Sequence, residues 1–126
     1  DAIKDWNILY VDHLEINCQN AQNTLENCGG GVEIISEGCA VINKLHEKHY
    51  DLIFIDTQLK DANAYSVTEQ IRAINSKHNT HSVVVGMIPA LIEVRTNKWQ
   101  EAGMDDYLSK PIRREKLAST IEKWLA

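Results

Sequence analysis

Tyr50-Asp51-Leu52-Ile53-Phe54-Ile55-Asp56 is the stretch on which the fold turns. From Leu52 to Ile55 it is apolar without a polar alternate, and it stops on a carboxylate, as a strand buried on both faces does. A strand with no solvated face belongs to a parallel sheet covered by helices on both sides. Two runs share this character: Trp6 to Val11 (WNILYV), closing on Asp12, and Ser82 to Ile88 (SVVVGMI). Shorter strands are expected at Val32–Ile35 and Asp105–Ser109.

The segments between these strands carry helical spacing. Cys18, Ala21, Leu25 and Cys28 recur on one face of a segment that starts near Glu15 and ends at Gly29-Gly30-Gly31, where glycine suits a helix terminus. Val41, Ile42 and Leu45 mark a helix reaching about Lys48, and Val67, Ile71 and Ile74 mark the next. Leu91 to Ala102 has the weakest stripe, with Ile92 and Trp99 as its inward pair. Ile112 to Leu125 turns Leu117, Ile121, Trp124 and Leu125 inward. Five strands alternating with five helices imply crossover connections and a doubly wound α/β sheet. Right-handed crossovers with strand order 2-1-3-4-5 give the flavodoxin-like (βα)5 arrangement. No repeat or linker interrupts residues 1–126, which read as a single domain.

Composition narrows the function classes. The 126 residues are 44% apolar and 25% charged, which suits a folded soluble domain. A net charge of −5 without a basic run argues against a nucleic-acid surface on this domain. No apolar stretch approaches the roughly 20 residues that span a bilayer, so no membrane contact is expected. Asp1-Ala2-Ile3-Lys4-Asp5 is unlike a signal peptide and lacks an initiating Met, as in a piece of a longer or processed protein. Cys18, Cys28 and Cys39 contain no CxxC pair and read as free, buried thiols in a reducing compartment.

In such a sheet, ligands sit beyond the carboxyl ends of the strands, at the switch point between the first and third. Asp12 and Asp56 close those two strands, and Lys110 follows the fifth. Two carboxylates and an amine at one edge suit a divalent cation beside a phosphoryl group. Carboxylates are hard oxygen ligands, and an ammonium is a point charge for phosphate oxygens.

With these residues placed, the chain resembles the receiver domain family of two-component signalling over nearly its whole length. Ile8-Leu9-Tyr10-Val11-Asp12 looks like the family's first strand and acidic end, and Glu15-Ile16-Asn17 is similar to receivers of hybrid sensor kinases. Tyr50 to Asp56 matches the run leading to the phospho-acceptor. Ala102-Gly103-Met104-Asp105-Asp106-Tyr107-Leu108-Ser109-Lys110-Pro111-Ile112 is close to the fifth strand, whose Lys–Pro bond is usually cis. The resemblance implies Asp56 as phospho-acceptor. It further implies Mg2+ at Asp56, the Gln58 carbonyl and, through water, Asp12, with Lys110 contacting the phosphoryl group and Tyr107 as the aromatic switch. It implies a histidine kinase or phosphotransfer protein as partner, a cytoplasmic location, and self-association through the fourth helix, fifth strand and fifth helix. The chemistry expected is self-phosphorylation and nothing further enzymatic.

Several positions depart from the family's pattern. The second acid after the first strand is His13, a poor ligand for Mg2+, so the ion should bind weakly. His13 could also serve as a phosphohistidine or a transition-metal ligand, but it reads first as a solvent-facing loop residue. A gap-free count back from Ala102-Gly103 puts Ile88 at the switch hydroxyl, and a shift of one residue puts Met87 there. Neither can donate a hydrogen bond, so the switch should be weakened. Lys60 stands where proline is usual, and Asn63-Ala64 replaces Asp-Gly. These losses keep a second reading open, a pseudo-receiver that binds partners without phosphorylation.

Other chemistries fit less well. A haloacid dehalogenase-type phosphatase needs a second aspartate two residues after the first, and Gln58 is there. A flavodoxin needs a phosphate loop after its first strand, unlike Asp12-His13-Leu14-Glu15. His46 with His49 on the second helix, and His78 with His81 at a helix end, have a zinc-like spacing that no cysteine or carboxylate completes in sequence.

Overall fold

The computed structural model describes residues 6–26, 31–90 and 97–125. In chain order the elements are β1 (Asn7–Val11), α1 (Glu15–Glu26), β2 (Gly31–Ile35), α2 (Val41–Glu47), β3 (Leu52–Asp56), α3 (Ala64–His78), β4 (Val83–Pro89), α4 (Lys98–Glu101), β5 (Asp106–Lys110) and α5 (Arg114–Leu125). A 3-10 turn at Gly38–Ala40 leads into α2. The strands form one parallel sheet in the order β2-β1-β3-β4-β5, the flavodoxin-like arrangement expected from sequence.

Alternation along the strands divides the core into two layers. Ile8, Tyr10, Leu52, Phe54, Val85, Met87 and Leu108 meet Ala21 and Leu25 of α1 and Leu117, Ile121 and Leu125 of α5. Leu9, Val11, Ile53, Ile55 and Val84 face Val41 and Leu45 of α2 and Val67 and Ile71 of α3. Of the helix expected over Leu91–Ala102, the described residues show α4, whose Trp99 packs against the second layer. Its proposed partner Ile92 lies outside the described residues, as do Cys28 and the first two glycines after α1.

Two glycines carry geometric demands. A Cβ on Gly86 would lie 2.5 Å from Met104 Sδ, so β4 and the approach to β5 come close there because this position has no side chain. Gly103 has φ 101°, a left-handed conformation that glycine adopts without strain, in the turn that delivers the chain to β5.

Two expectations need correcting. Cys39 is exposed, in the 3-10 turn, and Cys18 is half-buried; both are free, but the reading of buried thiols fails for Cys39. α2 ends at Glu47, so His49 is off the helix that was expected to pair it with His46. It lies instead 3.5 Å from Asp51.

Candidate functional site at the carboxyl edge of the sheet

Pairing of β1 with β3 sets Val11 beside Ile55, which brings the next residues on each strand, Asp12 and Asp56, together. Both carboxylates are fully buried. Lys110, the last residue of β5, reaches across to donate from Nζ to Asp56 Oδ1 at 2.8 Å, and the Gln58 backbone N–H donates to the same oxygen at 3.0 Å. The Lys110-Pro111 peptide bond is cis, as the resemblance implied. Asp12, Asp56 and Lys110 thus converge as their positions at the strand ends indicated.

Asp12 is held by donors that were not anticipated. The Leu14 N–H donates to Oδ1 at 3.0 Å, Asn17 Nδ2 donates to Oδ2 at 3.0 Å, and the Tyr10 hydroxyl donates weakly to Oδ2 at 3.4 Å. Tyr10 shares the face of Asp12 because it precedes it by two residues on a strand, a signal present in the sequence. Asn17 reaches back from the first turns of α1, which spacing alone does not reveal. Burial pushes the Asp12 carboxyl above its ordinary value; the Leu14 N–H opposes the shift, the Asp56 charge adds to it, and Lys110 and Asn17 oppose it. Burial, reinforced by the neighbouring Asp12 carboxylate, pushes the Tyr10 hydroxyl far up as well, so it stays a donor.

His13 overturns its reading as a solvent-facing loop residue. Its side chain is 23% exposed, and Nδ1 lies 3.2 Å from Asp56 Oδ2 and 3.9 Å from Asp12 Oδ1. Among the described residues, Asp12, His13 and Asp56 form the one group of three with metal-ligating atoms all within 4.8 Å of one another. The donor set fits a divalent cation only in part for Mg2+: the two carboxylates suit it, while the imidazole nitrogen does not.

The strand register also places Met87 and Ile88 relative to Asp56. Asp56 pairs with Met87, which lies in the core layer of Tyr10 and Phe54; Ile88 pairs with Ser109, one step further along and on the opposite face. Met87 therefore lies level with Asp56, and Ile88 one step further toward the carboxyl edge of the sheet. A hydroxyl is absent at either residue. Thr57, next to Asp56, spends its own hydroxyl on the Met87 carbonyl at 2.9 Å.

The remaining departures are structural in effect. Lys60 is exposed, and Ala64 is buried as the first residue of α3. Asn63 caps that helix by accepting from the N–H groups of Tyr65 and Ser66 at 2.9 and 3.1 Å. Tyr107 is half-buried, its ring centroid 5.2 Å from that of Trp99 at an interplanar angle of 50°.

Comparison with known proteins agrees with this geometry. The family described as the response regulator receiver domain matches residues 8–122. The chain belongs to that family. It is a receiver module of the kind found in hybrid histidine kinases and response regulators. It is 31% identical over 118 residues to the sensor protein GacS of Pseudomonas syringae pv. syringae, covering 93% of this chain and 13% of that protein. It is 28% identical to the aerobic respiration control sensor protein ArcB of Escherichia coli, covering 94% of this chain and 15% of that protein. The receiver thus spans a small fraction of the relatives that it matches. Among solved structures, a two-component response regulator from Clostridium difficile is 28% identical with a TM-score of 0.84, covering 96% of each chain. The fold also matches the receiver of the Saccharomyces cerevisiae response regulator Ssk1, solved with the histidine phosphotransfer protein Ypd1, at TM-score 0.89 and 22% identity over 98% of this chain and 90% of that one. The receiver of sensor histidine kinase PA1611 from Pseudomonas aeruginosa, solved with a magnesium ion in its active-site cleft, matches at TM-score 0.82 and 24% identity over 97% and 98% of the chains. Among the described residues of this receiver, no helix is long and apolar enough to cross a membrane.

Proposed function

We propose that Asp56 accepts a phosphoryl group from a phosphohistidine on a kinase or phosphotransfer partner. The observation that carries this reading is the buried Asp56 carboxylate, with Lys110 and the Gln58 N–H on one oxygen and Asp12 alongside. A carboxylate oxygen forms the new P–O bond as the P–N bond to the partner's imidazole breaks, and the freed ring nitrogen takes up a proton. Lys110 offsets phosphate charge at the site of attack. Asp12, Asp56 and the Gln58 carbonyl would hold a divalent cation, whose part when bound is to neutralise charge between the acidic pocket and the incoming phosphate. His13 in place of an acid predicts weak Mg2+ affinity.

The output is a population shift between two arrangements of the loops and of the Tyr107–Trp99 face. With Met87 beside Asp56, no hydroxyl links the phosphoryl group to that face, so the shift is smaller than a hydroxyl-bearing receiver would give. Leu14 and Ile16, which are 44% and 60% exposed, border the pocket and offer apolar contact to a partner. The relatives support placement of this module in a hybrid histidine kinase.

Intact mass after incubation with acetyl phosphate and Mg2+ tests the reading. A single phosphoryl adduct that is absent from Asp56→Asn supports it. No adduct at millimolar Mg2+, or an adduct that persists in the variant, sinks it and leaves the pseudo-receiver.

A further inference from the structure

We infer that the pocket of Asp12, His13 and Asp56 selects a nitrogen-accepting first-row divalent ion, with Zn2+ as its probe, over Mg2+. The inference rests on the acidic pocket being the ion site of the proposed function and concerns which ion that site prefers.

The donor set argues for it. Mg2+ favours oxygen donors in near-octahedral geometry, whereas imidazole nitrogen favours later first-row ions. His13 Nδ1 is the ring atom that faces the carboxylates, 3.2 Å from Asp56 Oδ2 and 3.9 Å from Asp12 Oδ1. Two donors each about 2.1 Å from a tetrahedral or octahedral ion lie roughly 3.0–3.4 Å apart. The His13–Asp56 separation already falls in that range, and the His13–Asp12 separation needs to close by about half an ångström. Lys110 and the Gln58 N–H engage Asp56 through Oδ1, so the oxygen presented to His13 is the other one. Asp12 is oriented by Leu14 and Asn17, which fix its carboxylate in the way that groups outside a metal's ligand shell do.

Other histidine–carboxylate pairs compete for the same ions, His49 with Asp51 and His81 with Asp105, both at the opposite edge of the sheet. The readout must therefore be local. The amides of Leu14 and Gln58 donate to Asp12 and Asp56 and report the pocket directly.

Amide NMR spectra of the protein titrated with MgCl2 or ZnCl2, alongside His13→Ala and His13→Asp, test the inference. Zn2+ is expected to saturate the Leu14 and Gln58 shifts at a concentration at least about tenfold below Mg2+. His13→Ala should weaken Zn2+ by about tenfold or more while leaving Mg2+ nearly unchanged. His13→Asp should strengthen Mg2+ and narrow the Zn2+ to Mg2+ ratio. A ratio insensitive to both substitutions overturns the inference, as does a Zn2+ response confined to amides around His49 and His81 or no response at Leu14 and Gln58. A phosphoryl adduct at Asp56 with such an insensitive ratio leaves the receiver reading standing without the inference. A His13-dependent Zn2+ site with no adduct under either ion does the reverse.

Discussion

At the amino edge of the sheet, Arg72 donates to the Ser82 carbonyl at 2.6 Å, the Gly103 carbonyl at 2.8 Å, Asn75 Oδ1 at 2.9 Å and Asp105 Oδ2 at 2.6 Å. Asp105 also accepts from the Val84 N–H at 2.9 Å, and Asn75 accepts from the Ser82 N–H at 3.2 Å. At the carboxyl edge, Asp12 and Asp56 are both fully buried, and Lys110 is paired with one of them. That end holds two carboxylates against one lysine. A cluster whose donors and acceptors match one another ties elements together. A cluster with surplus carboxylate charge is poised to take on a cation or to react, and it costs stability until it does. Substitutions at the two ends should therefore move stability in opposite directions.

Arg72→Ala should give the largest effect. It removes three hydrogen bonds from α3 to the β4 and β5 approaches and one within α3, to Asn75, and leaves Asp105 without its arginine. A loss of about 2–4 kcal/mol is expected by urea unfolding. A loss below about 0.5 kcal/mol would mean that the amino-edge network is ornamental and the comparison fails.

Gly103→Ala probes the same end through the backbone. Its φ of 101° disfavours any side chain, and the added Cβ would lie 3.1 Å from Arg72 Cγ. A loss of roughly 1–3 kcal/mol is expected. Combined with Arg72→Ala, the two losses should fall short of additivity, because the bulk that crowds Gly103 is gone. Strict additivity would separate the turn from the network.

The sheet and the convergence of Asp12, Asp56 and Lys110 were legible in the sequence for one physical reason. Buried parallel strands are continuous apolar runs, and the residues that end them, Asp12, Asp56 and Lys110, sit at one edge once the strand order is known. His13 was not legible, because a residue just past a strand has no periodicity to say whether its ring turns outward or back over Asp56. Which of Met87 and Ile88 lies level with Asp56 needed the β3–β4 register, since a slip of one residue exchanges the faces of a strand. The Arg72 network was silent for another reason. It binds main-chain carbonyls and a carboxylate up to 33 residues away, and such partners leave no motif.

Asp12→Asn carries the comparison to the carboxyl edge with the opposite sign. Burial and the Asp56 charge disfavour the ionised Asp12. The amide keeps an acceptor for the Leu14 N–H, and Asn17 can turn its own amide to match. A gain on the order of 1 kcal/mol is expected in metal-free buffer, together with loss of ion binding. A clear loss of stability would show that Asp12 braces the fold, which would erase the distinction between the two ends.

The smallest effect sharpens the contrast within the carboxyl edge itself. Asp61, in the loop after β3, accepts from the Cys39 N–H at 3.0 Å and the Gly38 N–H at 3.0 Å and so ties that loop to the turn before α2. These bonds, led by that of the Cys39 N–H, hold its carboxyl at about 2. An unfolded aspartate titrates near 3.9. A depressed folded value means stability that is present above the unfolded value and is lost as pH falls from about 4 towards about 2. Asp12 is shifted upward, so its contribution runs the other way: present below the ordinary carboxylate value, and lost as pH rises through the folded one. Carboxyl-carbon NMR in metal-free buffer should therefore find Asp61 titrating well below Asp12. Because Asp61 is exposed, solvent screens its bonds, and Asp61→Asn should only slightly reduce the loss of stability between pH 4 and 2. If the two carboxyls titrate together, satisfaction by backbone N–H groups is not what separates a structural carboxylate from a reactive one in this receiver.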